Sequence, residues 1–398
     1  MLGPWVAAAK SEQPATIALR REIHADPELG LDCPRTRDKL KAALTGLPLA
    51  IRDSHRSSGF VALLEGTGAG DPSRTILLRG DMDALPIHEA SGLDFASRIE
   101  GKMHACGHDS HSAMLAAAAG LLCARRDTFA GRILFMFQPG EEGFHGAREM
   151  IAEGLLDDPT PDAAFALHIW PNLPGGTVAC RAGPMLASTD TLRARIVGKG
   201  GHAAMPHDAL DPVPVAAEII LALQTEVARR TPVTTDPMVL SITKISAGTT
   251  HNVLPEAVDL LGTLRTLSPV GRGRGRAAFD RICTHVALAH GCTAEVEIEQ
   301  GYPATINDPR AVALIRELAG SSYLEAPAPS MGGEDFSYVL ERIPGAMAFL
   351  GVAPAEGDPL ARAPLHNPAM MVDEAAMPSG VALHCAFATT FLAQGFSI

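Results

Sequence analysis

Apolar and amphipathic stretches alternate along most of this chain. "ATIALRREIHADP" (15–27) and "PRTRDKLKAALTGL" (34–47) predict helices, followed by strand character around 59–65. From residue 74 the rhythm is regular: an apolar strand "RTILLRG", a helix "SAMLAAAAGLLCARR" with a wide apolar face, a buried strand "GRILFMFQPG", a helix "GAREMIAEG" and a strand "DAAFALHIWP". Apolar strands alternating with helices imply a mixed, mostly parallel sheet with helices on both faces. Near 185 the pattern changes. "TDTLRARIVGKGGHAAMP" alternates as a half-exposed strand does, and the stretches starting at 211, 238, 256, 273 and 293 continue it as β-α-β-β-α-β, a ferredoxin-like α+β unit. Helix–strand alternation resumes with "PRAVALIRELAG", "FSYVLERIPG" and "AMAFLGV". The expected organisation is an α/β domain of residues 1–185 and 299–398, interrupted by a satellite domain at 186–298. The basic stretch "VGRGRGR" (270–276) reads as a turn.

The polar residues inside this pattern change the picture. Asp81 and Asp83 follow the first strand of the regular series, Glu141 and Glu142 follow the second, and His168 is expected at the end of the third. In open α/β sheets that edge is where ligands bind, so residues dozens of positions apart are predicted to meet in one crevice. The loop between the first strand and its helix contains "MHACGHDSH" (103–111), one cysteine and three histidines in nine positions. Such crowding suggests a metal site, a thiol nucleophile or a polar loop. The acidic "GDMDALP" and "GEEG" argue against a free thiolate, because clustered carboxylates raise a thiol's pKa. They make sense around cations, and Cys, His and Glu are suitable ligands for zinc or a neighbouring divalent metal. Cys106 and His108 then ligate, while Asp109 and His111 support or cap the following helix. In "FQPGEEGFHGA" one glutamate can bind metal while the other acts as general base on water; alone, the motif would read as a solvated acidic turn. His168 and His366 ("PLHNPAMMVDE") would each, alone, read as a core histidine and a loop histidine. In the satellite, "GKGGHAAMPHDALDP" exposes His202 at a tight turn. "GTTHNVLPEA" and "GTLRT" add Asn252 and Arg265, a neutral donor and a carboxylate-binding fork, or simply a hairpin residue and a strand-face charge.

Charge and cysteine usage set outer bounds. Lys and Arg number 33 against 45 Asp and Glu, a net charge of -12, which argues against nucleic acid or anionic membrane as the main partner. The seven cysteines are scattered and odd in number, fitting reduced thiols of a cytoplasmic protein rather than a disulfide framework. The first 30 residues do not read as a signal peptide, and apolar runs such as "SAMLAAAAGLLC" read as buried helices rather than membrane spans.

"REIHADPELG", "GDMDALPIHE", "MHACGHDSH", "GEEG", "GGHAAMPH", "MGGEDFSYV" and "HNPAMMVDEAA" occur in order across nearly the whole chain. Together they resemble the M20 metallopeptidase/amidohydrolase family, nearest the branch of aminoacylase, hippurate hydrolase and auxin-conjugate hydrolase type enzymes. The resemblance implies a hydrolase holding two divalent metal ions (zinc, manganese, cobalt or nickel), with Cys106, His108, Glu142, His168 and His366 as ligands and Cys106 bridging. It implies Glu141 as general base and Asp83 as the residue orienting a ligand. Asp81 stands where many M20 peptidases carry a ligand histidine, which points to the aminoacylase-like branch. His202 would steady the oxyanion, in its own or a partner's active site, and Asn252 and Arg265 would contact the substrate's carboxylate. The implied substrate is an N-acyl amino acid and the implied assembly a homodimer or homotetramer through the satellite. A dipeptidase, an N-acetyl-diamino acid deacetylase and a non-catalytic binding protein of this fold are the alternative readings.

Overall fold

A computed structural model describes residues 2–354, 356 and 362–396. The chain forms two compact units, one of Met1–Met185, Ile306–Ala328 and Asp335–Ile398, the other of Leu186–Thr305 and Pro329–Glu334.

The larger unit opens with α1 (Gly3–His24), α2 (Pro34–Ala43), β1 (Ala50–Asp53), β2 (Phe60–Glu65), β3 (Thr75–Asp81), α3 (His108–Cys123), β4 (Arg132–Gln138), α4 (Gly146–Ala152), β5 (Ala163–Pro174) and β6 (Val178–Cys180). The smaller unit supplies β7 (Ser188–Val197), β8 (Gly201–His202), α5 (Pro212–Arg230), β9 (Met238–Ala247), β10 (Val253–Leu254), β11 (Ala257–Thr266), α6 (Pro269–Ala289) and β12 (Thr293–Gln300). The chain then returns with α7 (Pro309–Ala319), β13 (Tyr323–Glu325), α8 (Ser337–Leu340), β14 (Gly345–Ala353) and α9 (Met377–Gln394).

The large sheet has the order β1-β2-β4-β3-β5-β14-β6-β13. Its centre is parallel, since β3 runs with both β4 and β5, and β14 runs with β5. β3 and β14 are buried along their whole length, as strands covered on both faces must be. α1, α3 and α9 pack on one another, and α3 and α9 reach β3 and β5. The run Glu374–Gln394 is long and apolar enough to cross a membrane, yet 78% of its most apolar window is buried inside this core. The smaller unit is an antiparallel sheet of order β9-β11-β7-β12, the ferredoxin-like arrangement. α5 and α6 cover one face, and Leu192, Ile196, Ile219, Leu264 and Phe279 fill the core between.

Three local expectations are corrected. α3 begins at His108, four residues before the predicted helical stretch, so the histidine-rich motif occupies its first turn. β5 continues to Pro174, which puts His168 within the strand rather than at its end. Pairing of β5 with β3 stops at Arg79↔Ala166, so His168 lies two residues past the last pair, level with the end of β3 at Asp81. Finally, "VGRGRGR" is helix, not turn. Ser268 caps α6 by accepting from Gly271 N, Pro269 occupies the first turn, and Arg272 and Arg276, one turn apart, both bind the buried carboxylate of Asp190. Glycine's low helix propensity hid that helix start in the sequence.

Candidate metal centre

The cluster is assembled at the C-terminal end of β3 and β4 and on β5. Gly107 turns the chain from Cys106 into α3 with φ of 83°, a left-handed conformation that glycine adopts without cost. A Cβ there would run into Ile169 on β5, reaching its Cγ1 and lying 2.7 Å from its Cδ1. The close approach delivers Cys106 and His168 to each other, with Sγ 3.4 Å from Nε2.

The tautomers follow from the partners. His168 Nδ1 donates to the Ile169 carbonyl at 2.7 Å, which leaves Nε2 as a lone-pair donor facing Cys106. His111 is consumed by the protein: Nδ1 donates to Asp81 Oδ1 at 2.7 Å, and Nε2 accepts from Ile169 N at 2.8 Å. The expectation that Asp109 and His111 support or cap the next helix is met only as support. No side chain caps α3. His111 ties its first turn to β3 and β5, and Asp109 ties it to α1.

His108 differs from its neighbours. Both its ring nitrogens are buried without a hydrogen-bond partner. Nδ1 lies 3.5 Å from Asp83 Oδ1, while Nε2 faces Asp81 Oδ2 at 3.6 Å, Glu142 Oε1 at 3.9 Å and Glu141 Oε2 at 4.0 Å. Asp83 also accepts from the backbone N–H of Glu141 at 2.9 Å and of Glu142 at 3.1 Å. One aspartate therefore orients both the histidine and the glutamate pair. His366 adopts φ of 65°, donates its N–H to the Ala105 carbonyl at 2.8 Å, and places Nε2 3.3 Å from Glu142 Oε1. Glu142 Oε1 is buried without a hydrogen-bond donor.

Donor atoms of Cys106, His108 and His168 lie within 4.8 Å of one another, as do those of Cys106, Glu142 and His366, and those of His108, Glu141 and Glu142. Two of these three donor groups share Cys106, and the third links them through His108 and Glu142. Electrostatics fit cations between them. Burial raises the Cys106 thiol well above its ordinary pKa, and Glu142, Glu141 and Asp81 raise it further. Burial would lower the His108 ring, but Asp81, Asp83 and Glu142 push it up to about 10. Burial and His111 hold the His168 ring well below its ordinary value. A thiol that carboxylates keep protonated, beside an imidazole they keep charged, is an anionic pocket short of positive charge. Buried donors without partners make the same point, and the S, N and O donor set suits zinc or similar divalent ions.

Two residues of this centre went unassigned in the sequence. Arg79, buried within β3, donates to Gln138 Oε1 at 2.9 Å, Asp81 Oδ2 at 2.5 Å and Asp335 Oδ1 at 3.1 Å. It holds Asp81 ionised against its burial, with help from His108 and His111. Asp335 also accepts from Ala147 N at 2.9 Å and Gln138 Nε2 at 2.7 Å, pinning the start of α4 behind the glutamate turn. The signal for Arg79 was a lone charge inside an otherwise apolar strand.

The smaller unit places the remaining candidates by itself. β8 pairs with β10, setting Val253 opposite His202, and Ala203 N donates to the Asn252 carbonyl at 3.1 Å, so His202 and Asn252 are neighbours. His202 is exposed, and its Nδ1 accepts from Ala204 N at 3.0 Å, which assigns the proton to an outward Nε2. Asn252 Oδ1 accepts from Thr250 Oγ1 at 3.3 Å. Arg265, half-buried on β11, uses Nε on Thr263 Oγ1 at 3.0 Å, and among the described residues its terminal nitrogens meet no carboxylate.

The sequence model of peptidase family M20/M25/M40 matches residues 77–390. The chain is 39% identical over 366 residues to an N-acetyl-L-cysteine deacetylase of Bacillus subtilis (strain 168), covering 91% of this chain and 84% of the relative. It is 36% identical over 389 residues to IAA-amino acid hydrolase ILR1-like 2 of Arabidopsis thaliana, covering 95% and 85%. Among solved structures, the Bacillus subtilis YXEP protein, described as a dinuclear metal binding peptidase from the M20 family, superposes with a TM-score of 0.82 at 33% identity over 96% of this chain and 99% of that one.

Proposed function

This chain belongs to peptidase family M20/M25/M40 and is a metal-binding hydrolase of amide bonds, and from that premise we propose that it cleaves N-acyl amino acids to a carboxylic acid and a free amino acid. The observation that carries the reading is the pair of donor groups sharing Cys106, one buried and one reaching the exposed His366, with Glu141 alongside. Cys106, His108, Glu142, His168 and His366 would hold two divalent cations. When bound, those cations supply polarisation of the amide carbonyl and a lowered pKa for attacking water. Glu141 would take the proton from that water and return it to the leaving nitrogen as the C–N bond breaks. Asp83 keeps that pair in register through the two backbone N–H groups it accepts from. His202, with its outward Nε2–H, is suited to steady a developing oxyanion, and the available fork of Arg265, with the Asn252 amide, suits the carboxylate of an amino-acid product. The names of the deacetylase and the conjugate hydrolase favour acylated amino acids over plain peptides. The open edge of β9, with Ile245 58% exposed, supports assembly with a second copy through the satellite.

The test is a hydrolysis screen on chelator-stripped protein reloaded with zinc, manganese, cobalt or nickel. N-acetyl, N-benzoyl and indole-acyl amino acids are offered beside dipeptides and N-acetyl-diamino acids. Metal-dependent release of amino acid from simple acylated substrates is expected. Cleavage confined to dipeptides or to diamino acid substrates would replace this reading.

A further inference from the structure

Behind the donor cluster lies a buried ionic array that the reaction scheme does not use. Asp109 follows His108 in the first turn of α3 and is fully buried. Its Oδ2 accepts from Arg20 Nε at 3.0 Å and from His24 Nδ1 at 2.8 Å, both on α1. Arg20 Nη1 also donates to Glu374 Oε1 at 2.7 Å. His24 Nε2 lies 3.1 Å from Glu89 Oε1. Glu89 accepts from Ser97 N at 2.6 Å and bonds Ser91, gathering the long segment between β3 and α3. The segment's backbone is tied to the α1 end as well, by Arg98 N to the Ala25 carbonyl at 3.0 Å and Ala84 N to the Glu28 carbonyl at 2.7 Å.

Burying charges is a costly way to hold two helices together, since apolar packing does it without desolvating ions. What such an array supplies is a fixed geometry: Arg20 and His24 both converge on Asp109 Oδ2, and so hold the residue beside a candidate ligand. The consequence extends further, because the Ala105 carbonyl next to Cys106 carries the His366 N–H at 2.8 Å. The position of one short segment thus sets Cys106, His108 and His366 together. We propose that Arg20 and His24, through Asp109, are positioning residues for the metal donors, so that α1 sets how tightly the site holds its ions. This rests on the reading of Cys106, His108 and His366 as ligands.

The experiment titrates metal-free protein with Co2+ alone, following the thiolate-to-cobalt absorption band and bound metal by equilibrium dialysis. Asp109→Asn and His24→Ala are expected to weaken Co2+ binding roughly 10–100-fold, the range for groups that orient metal ligands, and to weaken the thiolate band. Each variant leaves a buried charged partner behind and is expected to lose metal-free stability as well, so the thiolate band and the rescue by a conservative variant carry the test. His24→Asn, whose amide nitrogen can stand in for Nδ1, should recover most of the affinity. Parent-like affinity and band in Asp109→Asn and His24→Ala would overturn the proposal. So would a loss of affinity that merely follows a loss of metal-free stability and that His24→Asn fails to repair. If Asp109→Asn does not fold, the two His24 variants decide. Cys106→Ser separates this inference from its premise: a thiolate band that survives Cys106→Ser refutes the ligand reading itself, whereas its loss there, with normal binding in the Asp109 and His24 variants, refutes only the positioning role.

Discussion

Replacing Gly107 by alanine should disturb the centre more than any comparable change of one methyl group on the surface. Two costs combine. The backbone at φ of 83° lies in the left-handed region, where a Cβ costs about 1–2 kcal/mol. The same Cβ would fall against Ile169 Cγ1 and Cδ1, an overpacking that costs about 1–3 kcal/mol in a close-packed interior. The sum, about 2–5 kcal/mol, appears as lost stability, as displacement of Cys106 and His108, or as both. Urea denaturation of metal-free protein measures the first, and Co2+ affinity the second. The clash term can be isolated with Ile169→Ala. The double variant should be less destabilised than the sum of the two single ones by about 1–3 kcal/mol, because removing the isoleucine side chain makes room for the new methyl. Strict additivity would refute the claim that Ile169 excludes a side chain at 107.

In the smaller unit, Asp190→Asn should destabilise by about 3 kcal/mol, because it leaves Arg272 and Arg276 without their shared carboxylate. Burial opposes ionisation of Asp190, yet the two arginines hold its pKa below the ordinary 3.8, so its contribution is present above that value and fades as pH falls through the depressed one. Parent and variant melting curves should therefore converge in acid, and a gap that widens there would contradict the ion-pair account. Arg265→Lys should raise KM for acylated amino acids about 10-fold or more with a smaller effect on kcat, since a lysine cannot reproduce a two-pronged contact; an unchanged KM would remove Arg265 from the substrate site. His202→Ala should lower kcat about 10²–10³-fold, as loss of an oxyanion donor does, and leave KM near the parent value; steady-state kinetics showing the reverse split would make it a binding residue.

Legibility in the sequence followed periodicity. β3 and β4 were readable because apolar runs ended in acidic residues, and that same edge predicted the meeting of Asp81, Asp83, Glu141 and Glu142 with the Cys106 loop. Crowding revealed Cys106 and His108. Their division of labour with His111 was not readable, because it depends on Ile169 N reaching one ring nitrogen and Asp81 the other. His366 sits in a loop without periodic pattern, and only family resemblance singled it out. Arg79, Asp335 and the Arg20–Asp109 pairing join elements far apart in sequence, so no local pattern could show them. α6 was misread at its start because three glycines within "VGRGRGR" outweighed the spacing of Arg272 and Arg276, which only the buried Asp190 explains.

The proposed reaction turns on Glu141 transferring the proton in a metal-dependent amide hydrolysis. The direct measurement compares kcat for an N-acetyl amino acid between the parent and Glu141→Gln, each reloaded with the same metal and assayed for bound ions. Loss of the proton-transferring carboxylate should lower kcat about 10²–10⁴-fold with metal content and KM close to the parent. A Glu141→Gln protein that keeps its ions and turns over within a few-fold of the parent rate would contradict that role.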